Sequence, residues 1–200
     1  MSSSIMSAET TSVSSRATAT ALAVGSVLAV LGSVAYISLN GGTPREAFSN
    51  PLGTVGGVIA TVGVVVLALT LAKWRTTLPA WALMVAAAGL VIVAANAWFQ
   101  ATGIRAISDH TSDAEFERLI FEASWIIVMH VPKMVLGLVG FITLGVAGWR
   151  QRSLPRASCV LLVLAGVASL WPPYPPGVLL ASIALFIASR SMASRRPDRA

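Results

Sequence analysis

Long runs of apolar residues, almost free of charge, recur along this chain and limit what it can fold into. A helix needs about 20 apolar residues to cross a hydrocarbon core of about 30 Å, and in lipid its backbone groups must pair within the segment itself. Runs that meet this length cover residues 19–39, 52–72, 79–98 and 123–149, and a further apolar stretch covers 157–188. The sequence therefore predicts an all-α fold, a polytopic membrane bundle of about six transmembrane helices.

The last apolar stretch differs from the others because the sequence PPYPP at residues 172–176 divides it into two shorter runs. At 1.5 Å per residue, a run of roughly 14 residues extends only about 21 Å as a helix, which is short of a full crossing. Two arrangements fit this pattern: two short helices in a locally thinned bilayer, or a re-entrant hairpin. Both return the chain to the side of the membrane from which it started.

The composition agrees with a lipid environment. Only 11% of the residues are charged and 56% are hydrophobic, with a mean hydropathy of +0.78, whereas about a quarter of a soluble chain is charged. The net charge of +6 is distributed in short clusters between the apolar runs. Such clusters are typical of membrane topology rather than of a surface that follows nucleic-acid phosphates. We therefore expect the lipid bilayer as a partner and no nucleic acid.

Basic residues lie at alternate ends of the apolar runs. They precede the first run, follow the second and the fourth, and end the chain: Arg16, Lys73, Arg75, Arg150, Arg152, Arg156, Arg190, Arg195, Arg196 and Arg199. Because positively charged loops stay in the cytoplasm, both termini are predicted to be cytoplasmic in a multi-pass protein of the cell (inner) membrane. The predicted organisation is a disordered cytoplasmic tail at 1–18, a six-helix transmembrane domain at 19–190 with an outer acidic loop at 99–124, and a basic cytoplasmic tail at 191–200.

The fourth apolar run contains two ionisable residues, His130 and Lys133, next to Pro132. Ionisable residues are costly in a membrane and are therefore candidates for function. Gly137 and Gly140 share the helix face of Lys133, which predicts that Lys133 faces the bundle, with His130 at the border of that face. The alternative is that Lys133 extends to the outer surface and that His130 hydrogen-bonds a neighbouring helix.

Two more polar residues join these as ligand-binding candidates. Glu122 lies on the same side of the predicted helix as Lys133, about 16 Å away along the axis at 1.5 Å per residue. Asn96 is the only amide residue that the pattern places well inside an apolar run. Together with His130 and Lys133, these side chains form the candidate binding set.

The segment 99–124 holds five of the eight acidic residues of the chain. Asp109 and Asp113, with His110 between them, are candidate ligands for a divalent cation or candidate acid and base groups. A simpler interpretation is a solvated helix start, where acidic residues are favoured by the helix dipole and residues 112–115 fit a capping box. The sequence carries no zinc, nucleotide or nucleophile-elbow motif, and we predict no cofactor.

Three functional hypotheses follow, and the sequence leaves open whether the protein is an enzyme. The first is a non-enzymatic accessory, assembly or immunity-type component. It would act through small-residue helix faces, within the chain or between copies, such as the face formed by Ala21, Gly25, Ala29 and Ser33. The second is a carrier or sensor of an apolar or weakly basic small molecule that uses His130 and Lys133. The third is a membrane-embedded enzyme on a lipid or isoprenoid substrate, with acid–base groups from the same pair, from Glu122 or from the two aspartates.

Overall fold

A computed structural model describes residues 2–39, 50–74, 76–121, 125–170 and 176–194, and every regular element in these ranges is helical. A π-helical turn, Gln100–Ile104, joins the third helix to the fourth without a break. We number the helices in chain order as α1 (Ser2–Leu39), α2 (Pro51–Lys73), α3 (Ala80–Phe99), α4 (Arg105–His110), α5 (Asp113–Phe121), α6 (Trp125–Arg150), α7 (Arg156–Ala168) and α8 (Pro176–Ser194).

Five helical segments in the described ranges are long and apolar enough to cross a membrane. They are Arg16–Ser38 in α1, Pro51–Lys73, Ala80–His110, His130–Arg150 and Pro176–Ser194. The prediction of an all-helical membrane bundle of about six helices is confirmed. Of the two helices expected to be short, α7 has 13 residues, whereas α8 has 19 and is one of the five long segments. The helix of α8 continues past Arg190 because a charged residue ends an apolar run without ending helical geometry.

Helical structure also extends beyond the predicted membrane helices. α1 begins at Ser2 and so runs through the predicted disordered tail at 1–18; once a helix is nucleated, each added residue gains a hydrogen bond at little cost. The acidic segment 99–124 is mostly helical, since it contains the π-helical turn, α4 and α5. Of the basic tail at 191–200, the part up to Ser194 belongs to α8, and the remainder lies outside the described residues.

Six helices, the five long ones and the shorter α7, form a closed ring. The principal contacts join α1 to α2, α2 to α3, α3 to α6, α6 to α7, α7 to α8 and α8 back to α1. Every helix of the ring contributes to one continuous apolar core, with the largest fully buried side chains including Leu22, Leu67, Leu90, Leu144, Leu162 and Leu185. Large apolar side chains also cover the outside, as at Leu31, Val55 and Val128. An outer surface of this kind fits lipid rather than water.

Glycines allow α1 and α2 to pack more closely than any larger residue would. A methyl group at Gly32 would clash with the backbone of Ala60 and lie 2.6 Å from the carbonyl oxygen of Gly56, and one at Gly63 would clash with the backbone of Ala29. The small-residue face of α1 is therefore used for packing within the chain. Close approach of backbones through small residues is the usual basis of helix association in membranes.

Candidate binding site between α3 and α6

Small residues of α3 and α6 contact each other, and their positions define the antiparallel register of the two helices. A methyl group at Gly140 of α6 would lie 2.7 Å from the Cα of Ala86 on α3, and one at Gly89 of α3 would lie 3.3 Å from the backbone nitrogen of Gly137 on α6. Position 86 thus faces position 140, and position 89 faces position 137. Each step towards the C-terminus of α3 corresponds to a step towards the N-terminus of α6.

This register brings two polar residues to the same level. Asn96 lies seven residues after Gly89, and His130 lies seven residues before Gly137, so each shares the face of its glycine. Asn96 is 3% exposed and His130 is 9% exposed. The register therefore places the buried amide of Asn96 and the buried imidazole of His130 at the same level of the two helices, a relation that the sequence alone does not give.

Lys133 is buried on the same side of α6. Its side chain is 7% exposed, and it precedes Gly137 by one helical turn. The prediction that Lys133 faces the bundle rather than lipid is confirmed, and His130 is buried beside it rather than at the border. Pro132, between them, lies within the continuous helix α6 and is exposed.

The short length of α7 helps to explain how a lysine is accommodated here. A methyl group at Gly137 would lie 2.7 Å from Oγ of Ser169, the residue that caps the C-terminus of α7. Because α6 and α7 are antiparallel, Lys133 lies one turn beyond the end of α7. The carbonyl groups at a helix C-terminus carry partial negative charge and favour a nearby cation.

The polar cluster continues onto α1 through a residue that sequence reasoning missed. Gln100, the first residue of the π-helical turn, is 7% exposed and donates a hydrogen bond from Nε2 to Oδ1 of Asn96 at 3.3 Å. The hydroxyl of Tyr36, on α1, donates to Oε1 of Gln100 at 3.4 Å. Asn96 is the only amide that the sequence places well inside an apolar run, and the structure adds Gln100, which follows that run and is buried as well.

The spacing of Asn96 and Gln100 in the sequence is the feature that could have identified Gln100. Amides four residues apart lie on the same side of a helix and can hydrogen-bond each other. The apolar run predicts a helix that ends at Trp98, so Gln100 lies outside the predicted helix and its spacing from Asn96 is not recognised. In the structure the π-helical turn carries the helix on to α4, and such turns occur frequently at functional sites. We call Tyr36, Asn96, Gln100, His130 and Lys133 the polar cluster.

The remaining sequence candidates lie elsewhere or outside the described residues. Asp109 forms an ion pair with Arg105, with Oδ2 3.8 Å from Nε, and Arg105 also donates from Nη1 to Oγ1 of Thr54 at 2.9 Å. Asp113 begins α5. No group of three or more His, Cys, Asp or Glu side chains that could hold a metal ion occurs in the part of the chain that the structure describes. The metal hypothesis for the two aspartates thus rests on the sequence alone, and Glu122 lies outside the described residues.

The start of α5 follows the predicted capping pattern. The backbone nitrogen of Glu115 donates to Oγ of Ser112 at 3.4 Å, as expected for the first half of a capping box. Phe116 is fully buried and packs with Ile104 and the partly buried Phe99. The helix α5 is therefore amphipathic, and its buried Phe116 packs against the end of α3 that carries the polar cluster.

The chain was also compared with known proteins. No protein-family model, no curated protein and no solved structure matched it.

Proposed function

We propose that this protein is a membrane carrier or sensor that binds a small molecule at the polar cluster between α3 and α6. The observation that carries the proposal is the burial of Asn96, His130 and Lys133 together at one end of the α3–α6 contact. Ionisable side chains inside a membrane protein are costly and usually mark a ligand or ion pathway. The hydrogen bonds of Gln100 extend the set of polar groups to α1.

The chemistry of the cluster indicates the class of ligand. A lysine ammonium has three donors and no acceptor. The amide of Asn96 and the second N–H of Gln100 Nε2 supply further donors, whereas the hydroxyl hydrogen of Tyr36 is already donated to Gln100. None of the five described residues of the polar cluster is acidic. A ligand group that accepts hydrogen bonds, such as a carboxylate, a phosphate or a carbonyl, complements this set better than the weakly basic group considered from the sequence. Apolar neighbours such as Val93, which faces Lys133 in the α3–α6 register, would suit an apolar remainder.

Two competing proposals have less support from the described residues. An accessory role through small-residue faces loses its main argument, because Gly25 and Gly32 of α1 pack against α2 within the chain. An enzymatic role could also use His130 and Lys133. Its other candidates have less support, since Glu122 lies outside the described residues and Asp109 pairs with Arg105.

The proposal includes a location in the cell (inner) membrane with both termini in the cytoplasm. Arg16 of α1 and Arg190 of α8 lie beside the same cavity, so these two arginines share one end of the bundle. The polar cluster lies near the C-terminal end of α3 and the N-terminal end of α6. With the arginine end in the cytoplasm, the polar cluster would lie in the outer half of the membrane.

A thermal-shift screen of the purified full-length protein tests the ligand proposal. The panel contains small carboxylates, phosphates, amides and amines, each with and without an apolar tail. We expect at least one acceptor compound to raise the unfolding temperature of the wild type, since a ligand at 100 times its Kd adds about 2.7 kcal/mol of stability. The same compound should not stabilise Lys133→Met or His130→Ala.

The matched control is Lys73→Met, which removes a lysine at the exposed end of α2. It should respond to the compound as the wild type does, and all variants are first compared without ligand to show that they fold. Equal stabilisation of Lys133→Met, His130→Ala and the wild type would disprove binding at the polar cluster. A screen in which only amines stabilise the wild type would contradict the proposed ligand class.

A further inference from the structure

A groove runs along the seam between α1 and α8 and widens at the arginine end of the bundle. The wide part is a cavity of about 440 Å³, lined by Arg16 and Thr20 from α1, by Ser189 and Arg190 from α8, and otherwise by alanine and valine side chains. Two guanidinium groups and two hydroxyls from two helices thus border one cavity. None of the lining residues is acidic.

Further along the same seam the lining is apolar. A second cavity of about 200 Å³ is lined by Ser26, Val27, Val30, Leu31, Ile183 and Phe186. The positions on α1 recur at helical spacing from Arg16 through Thr20 and Val27, so both cavities follow one face of that helix. Leu31 is 61% exposed, which places this second cavity at the lipid-facing surface of the bundle.

The dimensions of the groove match one leaflet of a bilayer. Thr20 and Leu31 are 11 residues apart, about 16 Å along a helix at 1.5 Å per residue, which is close to half of a hydrocarbon core of about 30 Å. Arg16 lies about 6 Å further out, at the depth of the headgroups. The charged end of the groove is therefore at headgroup level, and its apolar part is at acyl-chain level.

From this arrangement we infer that the α1–α8 groove binds an anionic phospholipid of the leaflet at the arginine end. The phosphate and any further anionic group would lie between Arg16 and Arg190 and accept a hydrogen bond from Thr20, whereas the hydroxyl of Ser189 already donates to the backbone oxygen of Phe186. One acyl chain would follow Val27 and Ile183. Basic pockets between membrane helices are the usual binding sites of anionic headgroups.

Charge complementarity favours this occupant over a second copy of the chain. A copy packed on the seam would have to neutralise two arginines at the same level, and in the described parts of α1 and α8 the residues that line the groove include no acidic side chain. A symmetric contact through this seam would bring the arginines of both copies together, and like charges in close contact are destabilising. A lipid phosphate supplies the missing negative charge directly.

The test is a lipid titration of the purified full-length protein in a neutral detergent. Dioleoylphosphatidylglycerol and dioleoylphosphatidylcholine, which have identical acyl chains, are added separately, and apparent Kd values are obtained from the rise in unfolding temperature. From the contribution of two arginines near a membrane surface, we expect the wild type to bind the anionic lipid about 30-fold more tightly. Arg16→Gln/Arg190→Gln should lower this ratio to about 1.

The matched control is Lys73→Gln/Arg152→Gln, which also removes two positive charges but lies away from the α1–α8 seam. It should keep the wild-type ratio, and an equal loss of the ratio in this control would show diffuse electrostatic attraction and overturn the proposal. Arg16→Lys/Arg190→Lys should retain most of the preference, which guards against a folding defect in the glutamine variant. A wild type without any preference would also overturn the proposal.

A second pair of variants separates a phospholipid from a soluble phosphate. Val27→Trp fills the second cavity and leaves both arginines in place, whereas Val65→Trp places the same side chain on the lipid-facing surface of α2. We expect Val27→Trp to weaken binding of the anionic lipid at least about tenfold, as expected when an acyl chain loses two or more buried methylene groups, and Val65→Trp to have no effect. Unchanged affinity in Val27→Trp, together with competition by glycerol phosphate, would show a headgroup-only site and contradict the proposal.

Discussion

The hydroxyl of Tyr36 donates a hydrogen bond to Oε1 of Gln100, 64 residues away, at 3.4 Å. This bond connects α1 to the π-helical turn after α3, although α1 and α3 are not neighbours in the helix ring. Both side chains are buried. Gln100 in turn donates a hydrogen bond from Nε2 to Oδ1 of Asn96 at 3.3 Å. Polar contacts therefore connect the helices at this end of the ring. The apolar core occupies the part of the interior beyond the polar cluster.

The first prediction concerns the energy of this contact. Tyr36→Phe and Gln100→Leu, combined in a double-mutant cycle, should give a coupling energy of about 0.6 kcal/mol, with an upper bound near 1.7 kcal/mol as for other membrane hydrogen bonds. Denaturant unfolding in mixed micelles measures it. The control cycle pairs Tyr36→Phe with Val91→Leu on the lipid-facing side of α3 and should show no coupling. Zero coupling in the first cycle would mean that the bond does not contribute to stability.

The second prediction compares two glycines inside long helices. An added methyl group at Gly63 would clash with the backbone of Ala29 and lie 2.7 Å from the carbonyl oxygen of Gly25, whereas one at Gly89 would have its nearest atoms at 3.3 Å. Both changes to alanine gain similar helix propensity, about 1 kcal/mol, so their difference reports on packing. Overpacking against backbone costs about 1–3 kcal/mol.

We therefore expect Gly63→Ala to have a free energy of unfolding about 1–3 kcal/mol lower than Gly89→Ala. The measurement is unfolding of both variants under the same detergent conditions. Equal stabilities, or a more stable Gly63→Ala, would show that α1 and α2 are not packed as closely as the structure has them.

A third prediction follows from the end of α6, where Arg152 has a φ of 52°. The backbone nitrogen of Ser153 donates to the oxygen of Gly148 at 3.1 Å and that of Arg152 donates to the oxygen of Trp149 at 3.3 Å. These are the two bonds of a Schellman motif, in which the residue with positive φ is usually glycine. An L-residue in this conformation costs roughly 1–2 kcal/mol.

Arg152→Gly should therefore stabilise the protein by about 0.5 kcal/mol, because the relief of strain exceeds the entropy that glycine adds to the unfolded chain. Gln151→Gly, in the same turn, gains no such relief and should be destabilising. Thermal unfolding of the two variants gives the comparison. A loss of stability in Arg152→Gly equal to that in Gln151→Gly would contradict the motif.

Several features of the fold follow from the sequence for a clear physical reason. Apolar runs long enough to cross a membrane are expected to form helices, because backbone groups in lipid must pair within their own segment. Gly137 and Gly140 correctly indicate the face of α6 on which Lys133 is buried. The length of α8 was underestimated because the apolar run was treated as the limit of the helix. Hydropathy reports where lipid begins, whereas helix ends depend on capping and local propensity.

The polar cluster was predicted only in part. His130, Lys133 and Asn96 stand out because each is polar within an apolar run, but nothing in the sequence says that α3 and α6 are neighbours. That pairing depends on how six helices close into a ring. Gln100 was missed because it follows the apolar run, and Tyr36 joins it only through tertiary packing. The sequence therefore identifies candidates one at a time, and the fold decides which of them meet.

The last prediction concerns orientation in the membrane. Arg16 and Arg190 border one cavity, so the part of α1 that begins the membrane segment and the end of α8 lie at the same end of the bundle. The positive-inside rule predicts that this end is cytoplasmic, so reporters that fluoresce only in the cytoplasm should be active at both termini. A reporter active only after export, placed after residue 111 between α4 and α5, should be active as well. The two terminal reporters on opposite sides of the membrane would contradict the ring, whereas both on the outer side would leave the ring intact and reverse only its orientation.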